Sequence, residues 1–358
     1  MSRAMLEPGR TIGILGGGQL GRMLSVAAAR LGLKTCIYEP GGDCPASHVA
    51  NFHFKAAYDD VEALTRFAQS ADVVTYEFEN IPTAALDVIE AHAPIHPGRE
   101  ALRISQDRLT EKDFLAGLGL TPAPYANVES LADLEGALSN IGTPAILKTR
   151  RFGYDGKGQV RIKAPEEAAS AWAQMAGAPC VLEGFVDFSA EISVIAARGA
   201  DGRVAAFDPG QNVHSDGILS TTTVPAPLPR SVQTDAVLLA GRILSALDYV
   251  GVMGVELFVT PGGLVVNEIA PRVHNSGHWT QNACAVDQFE QHIRAIAGWP
   301  LGDGQRCVDV VMENLIGADV ERVGELASAP GVAVHLYGKA DAKPGRKMGH
   351  INRVRPRG

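Results

Sequence analysis

The sequence predicts a mixed α/β and α+β chain in three parts: a Rossmann-like N-terminal unit, a small central unit and a β-rich C-terminal unit. Three observations carry this reading. Residues 11–39 run as apolar strand, glycine-rich turn, helix and second strand, the opening of a doubly wound sheet. Residues 152–160, Phe-Gly-Tyr-Asp-Gly-Lys-Gly-Gln-Val, place three glycines and a lysine between β-prone runs. Residues 252–268 form two apolar runs joined by Pro261-Gly262-Gly263, a hairpin signal, and each run contains a glutamate. The boundaries drawn from these changes of pattern are 1–107, 108–186 and 187–358.

A chain of 358 residues exceeds what one hydrophobic core usually serves, in keeping with three parts. Its 46% hydrophobic and 20% charged content is ordinary for a water-soluble globular protein. The net charge of −8 offers no overall basic field for nucleic acid or an anionic membrane. No apolar run approaches the roughly 20 residues of a membrane span, and residues 1–10 lack the apolar core of a signal peptide. The five cysteines (Cys36, Cys44, Cys180, Cys284, Cys307) are scattered and form no C-x-x-C. They point to free thiols in a reducing compartment. A cytoplasmic location is expected, with small molecules as partners rather than nucleic acid or membranes.

Taken in order, the first strand runs into Gly16-Gly17-Gly18-Gln19-Leu20-Gly21, a helix follows over residues 22–31, and the strand at 34–38 ends on Glu39. This is G-x-G-x-x-G in its expected setting, with an acid about where a dinucleotide fold places its ribose ligand. The motif alone admits an NAD(P)-dependent oxidoreductase. It equally admits another phosphate-bearing ligand, because a glycine turn at a helix N-terminus attracts any such anion, and it admits plain packing. A second unit pairs a helix at 61–70 with a strand at 72–76 that ends in Glu77-Phe78-Glu79-Asn80. Carboxyl ends of parallel strands form the ligand crevice, so Glu77 should stand near the glycine turn, or else cap a helix. A short strand at 94–96 closes this unit.

The central unit begins with a helix from residue 105 that carries Arg108 and Lys112 near its start. Pro122 and Pro124 break the pattern, a helix covers 131–138, and a short strand ends at Lys148. The loop Gly153 to Gln159 offers free backbone N–H groups of the kind that cradle phosphates. It can also close as a lid, although a plain glycine-rich turn is the alternative. A strand from Cys180 ends at Glu183-Gly184-Phe185-Val186.

The C-terminal unit opens with a strand carrying Glu191, whose partner lies at 203–207. Further β pattern at 211–214, ending on His214, and at 221–224 precedes a helix at 234–247 and the hairpin. If Pro261-Gly262-Gly263 is the whole loop, Thr260 faces Leu264, Phe258 faces Val266 and Glu256 faces Glu268. Directly opposed side chains share a face, roughly 5 Å apart. Two carboxylates so placed repel unless a cation lies between them. Mg²⁺ suits, because it takes oxygen ligands and is held by one or two carboxylates plus substrate phosphates. Glu256 and Glu268 are therefore the expected metal ligands. Arg272, His274, Asn275, Ser276 and His278 follow within ten residues. A helix at 287–297, a strand at 308–316 and a run at 332–337 lead to a basic tail containing Arg346 and Lys347. Such a tail is either solvated or a clamp for a phosphomonoester.

Lys148, the Gly153–Gln159 loop, Glu183 to Val186, Glu191 and the Glu256–Glu268 pair together resemble the ATP-grasp superfamily. Within it, Gly16-Gly-Gly-Gln-Leu-Gly-Arg-Met-Leu, Gly153-Tyr-Asp-Gly-Lys-Gly-Gln, Pro271-Arg-Val-His-Asn-Ser-Gly-His-Trp-Thr and Pro344-Gly-Arg-Lys-Met-Gly-His are similar to the N5-carboxyaminoimidazole ribonucleotide synthases of purine biosynthesis. The resemblance covers residues 11–351. It implies an ATP-grasp fold and an ADP-forming ligase that carboxylates 5-aminoimidazole ribonucleotide through carboxyphosphate. It also implies ATP, Mg²⁺ (or Mn²⁺) and bicarbonate as the required small molecules, and a homodimer.

By the same likeness, Arg108, Lys148 and the loop Gly153, Tyr154, Asp155, Gly156, Lys157, Gly158 and Gln159 hold the ATP phosphates. Glu183, Gly184, Phe185 and Val186 face adenine, Glu191 faces the ribose, and His214 and Asn267 surround the nucleotide. Arg272 would hold the anionic intermediate, with Tyr154 and His274 lining its pocket and Asp155 or His274 accepting the amine proton. The amides of Gly18, Gln19 and Leu20, with Arg346 and Lys347, would take the ribonucleotide phosphate. Glu77, Asn275 and Ser276 would meet its ribose or base. A formate-dependent glycinamide ribonucleotide transformylase of the same superfamily is the alternative, disfavoured by the Phe152–Gly158 and Arg272–Trp279 strings. The oxidoreductase reading leaves the glutamate pair unexplained. A nucleotide-binding regulator without turnover is the third.

Overall fold

The computed structural model describes residues 5–153 and 158–358, whose strands fall into three sheets. The apolar runs β1 (Thr11–Leu15), β2 (Lys34–Tyr38), β3 (Phe52–Phe54) and β4 (Val73–Tyr76) pair in parallel in the order β3-β2-β1-β4. Parallel strands need both faces covered, and β4 is buried along its whole length. The helix after β1 spans Gln19–Arg30, three residues earlier than the sequence pattern placed it. The turn is shorter than the glycine run: Gly16 alone takes the left-handed conformation (φ +104°), and the first helical turn begins directly after Gly18. Residues 94–96 form no strand; Ile95 makes a single bridge to Val74.

The second sheet is antiparallel, in the order β5-β8-β6-β7, from β5 (Tyr125–Val128), β6 (Ala145–Thr149), β7 (Gln159–Ile162) and β8 (Cys180–Gly184). Val128, Leu147, Leu182 and Cys180 pack against the helices Leu131–Ile141 and Ala168–Gln174. Strand β5 escaped the sequence reading because Pro122 and Pro124 directly before it advertise a turn. The helix Arg108–Gly117, grouped with the central unit by sequence, turns Phe114, Leu115 and Leu118 into the core of the third sheet. There they meet Ala236, Ala240, Ile243 and Leu244 of the helix Arg230–Ala246.

The third sheet contains β9 (Ala190–Arg198), β10 (Val204–Ala206), β11 (Gly210–Ser215), β12 (Ile218–Val224), β13 (Gly251–Thr260), β14 (Gly263–Ala270), β15 (Val308–Ile316), β16 (Val332–Leu336) and β17 (Lys347–Pro356). Its order is β14-β13-β9-β11-β12-β15-β17-β16, with β10 paired to β9. The basic tail is therefore neither a loose end nor a surface clamp along its length. Strand β17 lies between β15 and β16 and buries Met348, His350 and Asn352. His350 and Asn352 are tolerated inside because Tyr337 and Asn282 bond their side chains.

The β13–β14 hairpin differs from the expected register in an instructive way. Its loop is two residues, with Thr260 opposite Gly263 and Leu257 opposite Val266, and a bulge follows between Leu257 and Glu256. The extra residue is Asn267, and it restores the pairing of Glu256 with Glu268.

The first and third sheets share one core. Leu20, Met23 and Leu24 of the helix Gln19–Arg30 pack with Trp279, Phe289 and Tyr337, and Arg30 ties that helix to Asp287 and Glu290 at 2.7 Å each. The glycine turn is thereby held over the face of the hairpin. The loop after β14 lies close across β13: a Cβ at Gly254 would stand 2.7 Å from the Cβ of His274. Replacement Gly254→Ala should therefore push that loop away. We expect a loss of about 1–3 kcal/mol in stability, measured by denaturant unfolding, together with a fall in ATP turnover.

Candidate active site

The three sheets enclose a cavity of about 650 Å³. The hairpin bulge shapes one wall. Neighbours in a regular strand point to opposite faces, yet Asn267 and Glu268 both line the cavity, as does Glu256 opposite them. Burial, and then the charge of Glu268, pushes the Glu256 carboxyl well above the usual range. Burial also pushes Glu268 up, but Arg108 and Lys148 outweigh it and hold that carboxyl below the usual range. Arg108 reaches Glu268 Oε2 at 3.3 Å and the carbonyl of Gly153 at 3.4 Å. Asn267 donates to Glu256 Oε2 at 3.3 Å.

Glu191 and His214 stand beside Glu256, and these three bring ligand-capable atoms within 4.8 Å of one another. Oε1 of Glu191 is buried without a hydrogen-bond partner, although His214 Nδ1 lies 3.1 Å away. Unequally compensated carboxylates with an unmatched oxygen fit a hard divalent cation. Glu256 and Glu268 could hold such a cation, with Glu191 at the edge.

Lys148, Gly153 and Gln159 line the same cavity, while Gly158 (φ +71°) sits against Thr149. Tyr154, Asp155, Gly156 and Lys157 lie outside the described residues. Glu183, Gly184, Phe185 and Val186 line an adjoining pocket of about 80 Å³ that shares Lys148, Phe258 and Asn267 with the main cavity. Phe188 and Phe258 stack there at 4.5 Å, making a flat apolar wall. The Glu183 carboxylate does not stand open to that pocket. Lys148 at 2.9 Å and Lys112 at 3.2 Å hold it, and against its burial they pull its pKa below the ordinary value.

At the far end of the cavity, Arg272 pairs with Glu79 at 2.6 Å and bonds the carbonyl of Val273, which leaves its buried Nε without a partner. His274 Nδ1 lies 2.8 Å from the hydroxyl of Ser276 and its Nε2 lies 3.6 Å from Glu256. Burial, then Arg272 and Lys347, holds the His274 pKa well below the usual imidazole value. Ser276 is fully buried and bonds this ring instead of lining the cavity. Asn275 does line it, locked by a reciprocal pair of 2.9 Å bonds with Asn314.

The glycine turn behaves differently from its sequence signature. The Glu77 carboxylate accepts hydrogen bonds from the amides of Gly18 and Gly21, and Glu39 accepts one from Gly17. The seat that a dinucleotide pyrophosphate would use is thus filled by two side chains of the protein. Neither carboxylate engages Gln19 or Leu20, which line the cavity beside Glu77. Lys347 lines it too; Arg346 does not, and bonds the carbonyl of Asp341.

Three participants were passed over in the sequence: Glu79, Glu111 and Lys112. Glu79 was visible two residues past Glu77, in the segment that follows β4. Glu111 and Lys112 share the helix with Arg108, and their burial is what sets them apart. Glu111 accepts the backbone N–H of Ile269 at 2.6 Å, which braces the strand next to Glu268.

Each of the three parts of the chain matches a known family. Residues 9–106 match a ribonucleotide synthetase preATP-grasp domain, residues 113–289 an ATP-grasp domain, and residues 310–357 a phosphoribosylaminoimidazole carboxylase C-terminal domain. The N5-carboxyaminoimidazole ribonucleotide synthase of Brucella melitensis is 54% identical over 360 residues, covering 100% of this chain and 99% of that one. This chain belongs to the N5-carboxyaminoimidazole ribonucleotide synthase family. The synthetase of Staphylococcus aureus complexed with ADP superposes with a TM-score of 0.94 at 37% identity, over 99% of this chain and 95% of that one. The Aspergillus clavatus enzyme, in complex with ADP and 5-aminoimidazole ribonucleotide, does so with a TM-score of 0.90 at 30% identity, over 98% and 94%.

Burial, and then the charge of Glu268, pushes the Glu111 carboxyl up to about 8. A carboxyl raised on folding keeps its proton longer in the folded chain than in the unfolded one. The stability it supports is complete below about pH 4.3 and is lost as pH rises through about 8. Wild type should therefore lose up to about 1.4 kcal/mol per pH unit relative to Glu111→Gln across that window. Urea unfolding of both proteins from about pH 5 to pH 8.5 measures the difference, and parallel curves would refute it.

Proposed function

We propose that this chain couples ATP cleavage to carboxylation of the exocyclic amine of 5-aminoimidazole ribonucleotide, with bicarbonate as carbon source, in purine biosynthesis. One observation carries the reading in this molecule. One site, the main cavity with its adjoining pocket, collects an apolar wall, phosphate-seeking cations, a carboxylate pair suited to a divalent metal, and Arg272. Nucleotide, metal, anionic intermediate and acceptor can occupy it side by side.

In this reading a bicarbonate oxygen forms a bond to the γ-phosphorus as the bond from that phosphorus to the ADP oxygen breaks. The amine nitrogen then attacks the carboxyl carbon of carboxyphosphate, phosphate leaves, and the nitrogen gives up one proton. Arg108, Lys148 and the loop Gly153–Gln159 orient the phosphates, since phosphoryl transfer depends on positioning and charge neutralisation. Glu256 and Glu268 would hold Mg²⁺, whose charge would offset that of the phosphates. Glu183 keeps Lys148 aimed, while Phe185, Val186 and Phe258 offer adenine its apolar seat. Glu191 and His214 stand at the ribose, with Asn267 beside them.

Arg272 suits bicarbonate and carboxyphosphate because its fork stays protonated and bidentate. Asp155 or His274 receives the amine proton. The acceptor lies against Gln19, Leu20, Asn275 and Lys347, with its phosphate on the first-turn amides that Glu77 leaves open. The same proposal includes a cytoplasmic homodimer, read by light scattering of the purified chain.

The testing experiment is ADP release with and without aminoimidazole ribonucleotide, in bicarbonate-depleted and bicarbonate-replete buffer, with formate as a control. We expect release that depends on both; release independent of both defeats the proposal. Glu268→Gln should lower turnover by about 100-fold or more while leaving the fold intact by circular dichroism. A regulator without turnover would lose only nucleotide affinity.

A further inference from the structure

Gln288 opens the helix Gln288–Ile296 and is fully buried. Its orientation is dictated by groups whose hydrogen-bonding roles cannot change. Oε1 accepts the backbone N–H of His274 at 2.9 Å, and Nε2 donates to the carbonyl of the same residue at 2.8 Å. A flipped amide would set NH₂ against N–H and oxygen against oxygen. The second proton of Nε2 then faces Nδ1 of His278, 2.9 Å away. That nitrogen must accept, so the proton of a neutral ring sits on Nε2. Burial, then neighbouring His274, His335, Lys347 and Arg272, keeps the ring neutral.

His278 is 1% exposed and lines the cavity. The loop around it is shut by Thr280, which donates to the carbonyl of Gly277 at 2.7 Å and accepts from the Gln288 backbone at 3.0 Å. Space there is tight: a Cβ on Gly277 would stand 2.6 Å from Gln288 Oε1. The carbonyl of His278 is itself held, by Asn352 at 3.1 Å.

We propose that Gln288 is a positioning residue of the carboxylation site, one that holds the His274 peptide and presents His278 to the cavity as an Nε2–H donor for an acceptor atom of the ribonucleotide. The inference rests on reading the Arg272–His278 loop as the acceptor end of the site. Gln288→Glu keeps an acceptor for the His274 N–H but removes both protons that Nε2 supplies, so the His278 proton should move to Nδ1. Gln288→Met keeps the volume and removes all three bonds.

The test joins two readouts on the full chain. Histidine-ring ¹⁵N shifts, with His278 assigned from the His278→Gln difference spectrum, report the tautomer. Steady-state KM values for aminoimidazole ribonucleotide and for ATP report the site. We expect Nε2–H in wild type and Nδ1–H in Gln288→Glu. In both Gln288 variants, KM for the ribonucleotide should rise about tenfold while KM for ATP stays within about twofold. A wild-type ring protonated on Nδ1, or equal rises in both KM values, overturns the inference. If the Gln288 variants fail to fold, the wild-type tautomer still decides it. A wild type whose ADP release ignores the ribonucleotide and bicarbonate defeats the reaction assignment instead, and the ¹⁵N spectrum is scored separately.

Discussion

Two carboxylates opposite each other on neighbouring strands repel, and the cavity is organised around that repulsion. Glu256 and Glu268 are brought together by a bulge that inserts Asn267 into β14. Each carboxyl resolves the conflict differently. Glu256, the more buried, rises in pKa, while Glu268 keeps its charge because Arg108 lies against it. Arg108 is delivered by a helix whose first turn is capped by Asp107, and Arg150 grips the same aspartate at 2.8 Å. A metal between the carboxylates would remove the repulsion that these cations only share out.

The other charges of the cavity follow the same logic. Lys148 and Lys112 rest on Glu183, Arg272 rests on Glu79, and the positive end of the helix Gln19–Arg30 rests on Glu77. Burying an unpaired charge is far costlier than burying a paired one, so each ligand-seeking group carries a partner of its own. Two of these pairs join different parts of the fold: Arg272 of the third unit meets Glu79 of the first, and Lys112, on the helix packed against the third sheet, meets Glu183 of the second sheet. A ligand that engages one of these groups therefore alters a contact between units, which links occupancy to their arrangement.

Much of the fold was legible in chain order. The βαβ opening, the central strands flanking the glycine loop and the long hairpin all announce themselves by periodicity and turn residues. The hairpin was read with a three-residue loop and no bulge. Those two differences cancel, so the glutamates still meet. What hid was polar sequence in apolar surroundings. Strand β17 carries His350 and Asn352 into the core because Tyr337 and Asn282 bond them, and such partners cannot be seen from a basic tail. Glu111 and Lys112 are charged residues near the start of a helix, yet both are buried where two sheets meet.

For the site, strand and hairpin patterns set Glu256 opposite Glu268 and singled out Lys148 and the Arg272–His278 loop, while Arg108 entered through the family likeness. The fold brings Arg108, Lys148, Glu256, Glu268, Arg272 and His274 to one cavity. Family-specific strings were enough to name the chemistry. Through-space choices needed the fold. Gly16 to Gly18 look like a dinucleotide turn in any alignment of residues with motif. Only folding brings Glu77, some sixty positions away, onto the Gly18 amide, and a carboxylate there excludes a pyrophosphate. Likewise, Ser276 and Asn275 are neighbours in sequence, but one turns inward to His274 and the other lines the cavity. Short-range sterics write the strands and turns into the chain. The pairing of buried charges and hydrogen bonds depends on which distant segments pack together, and that is decided in three dimensions.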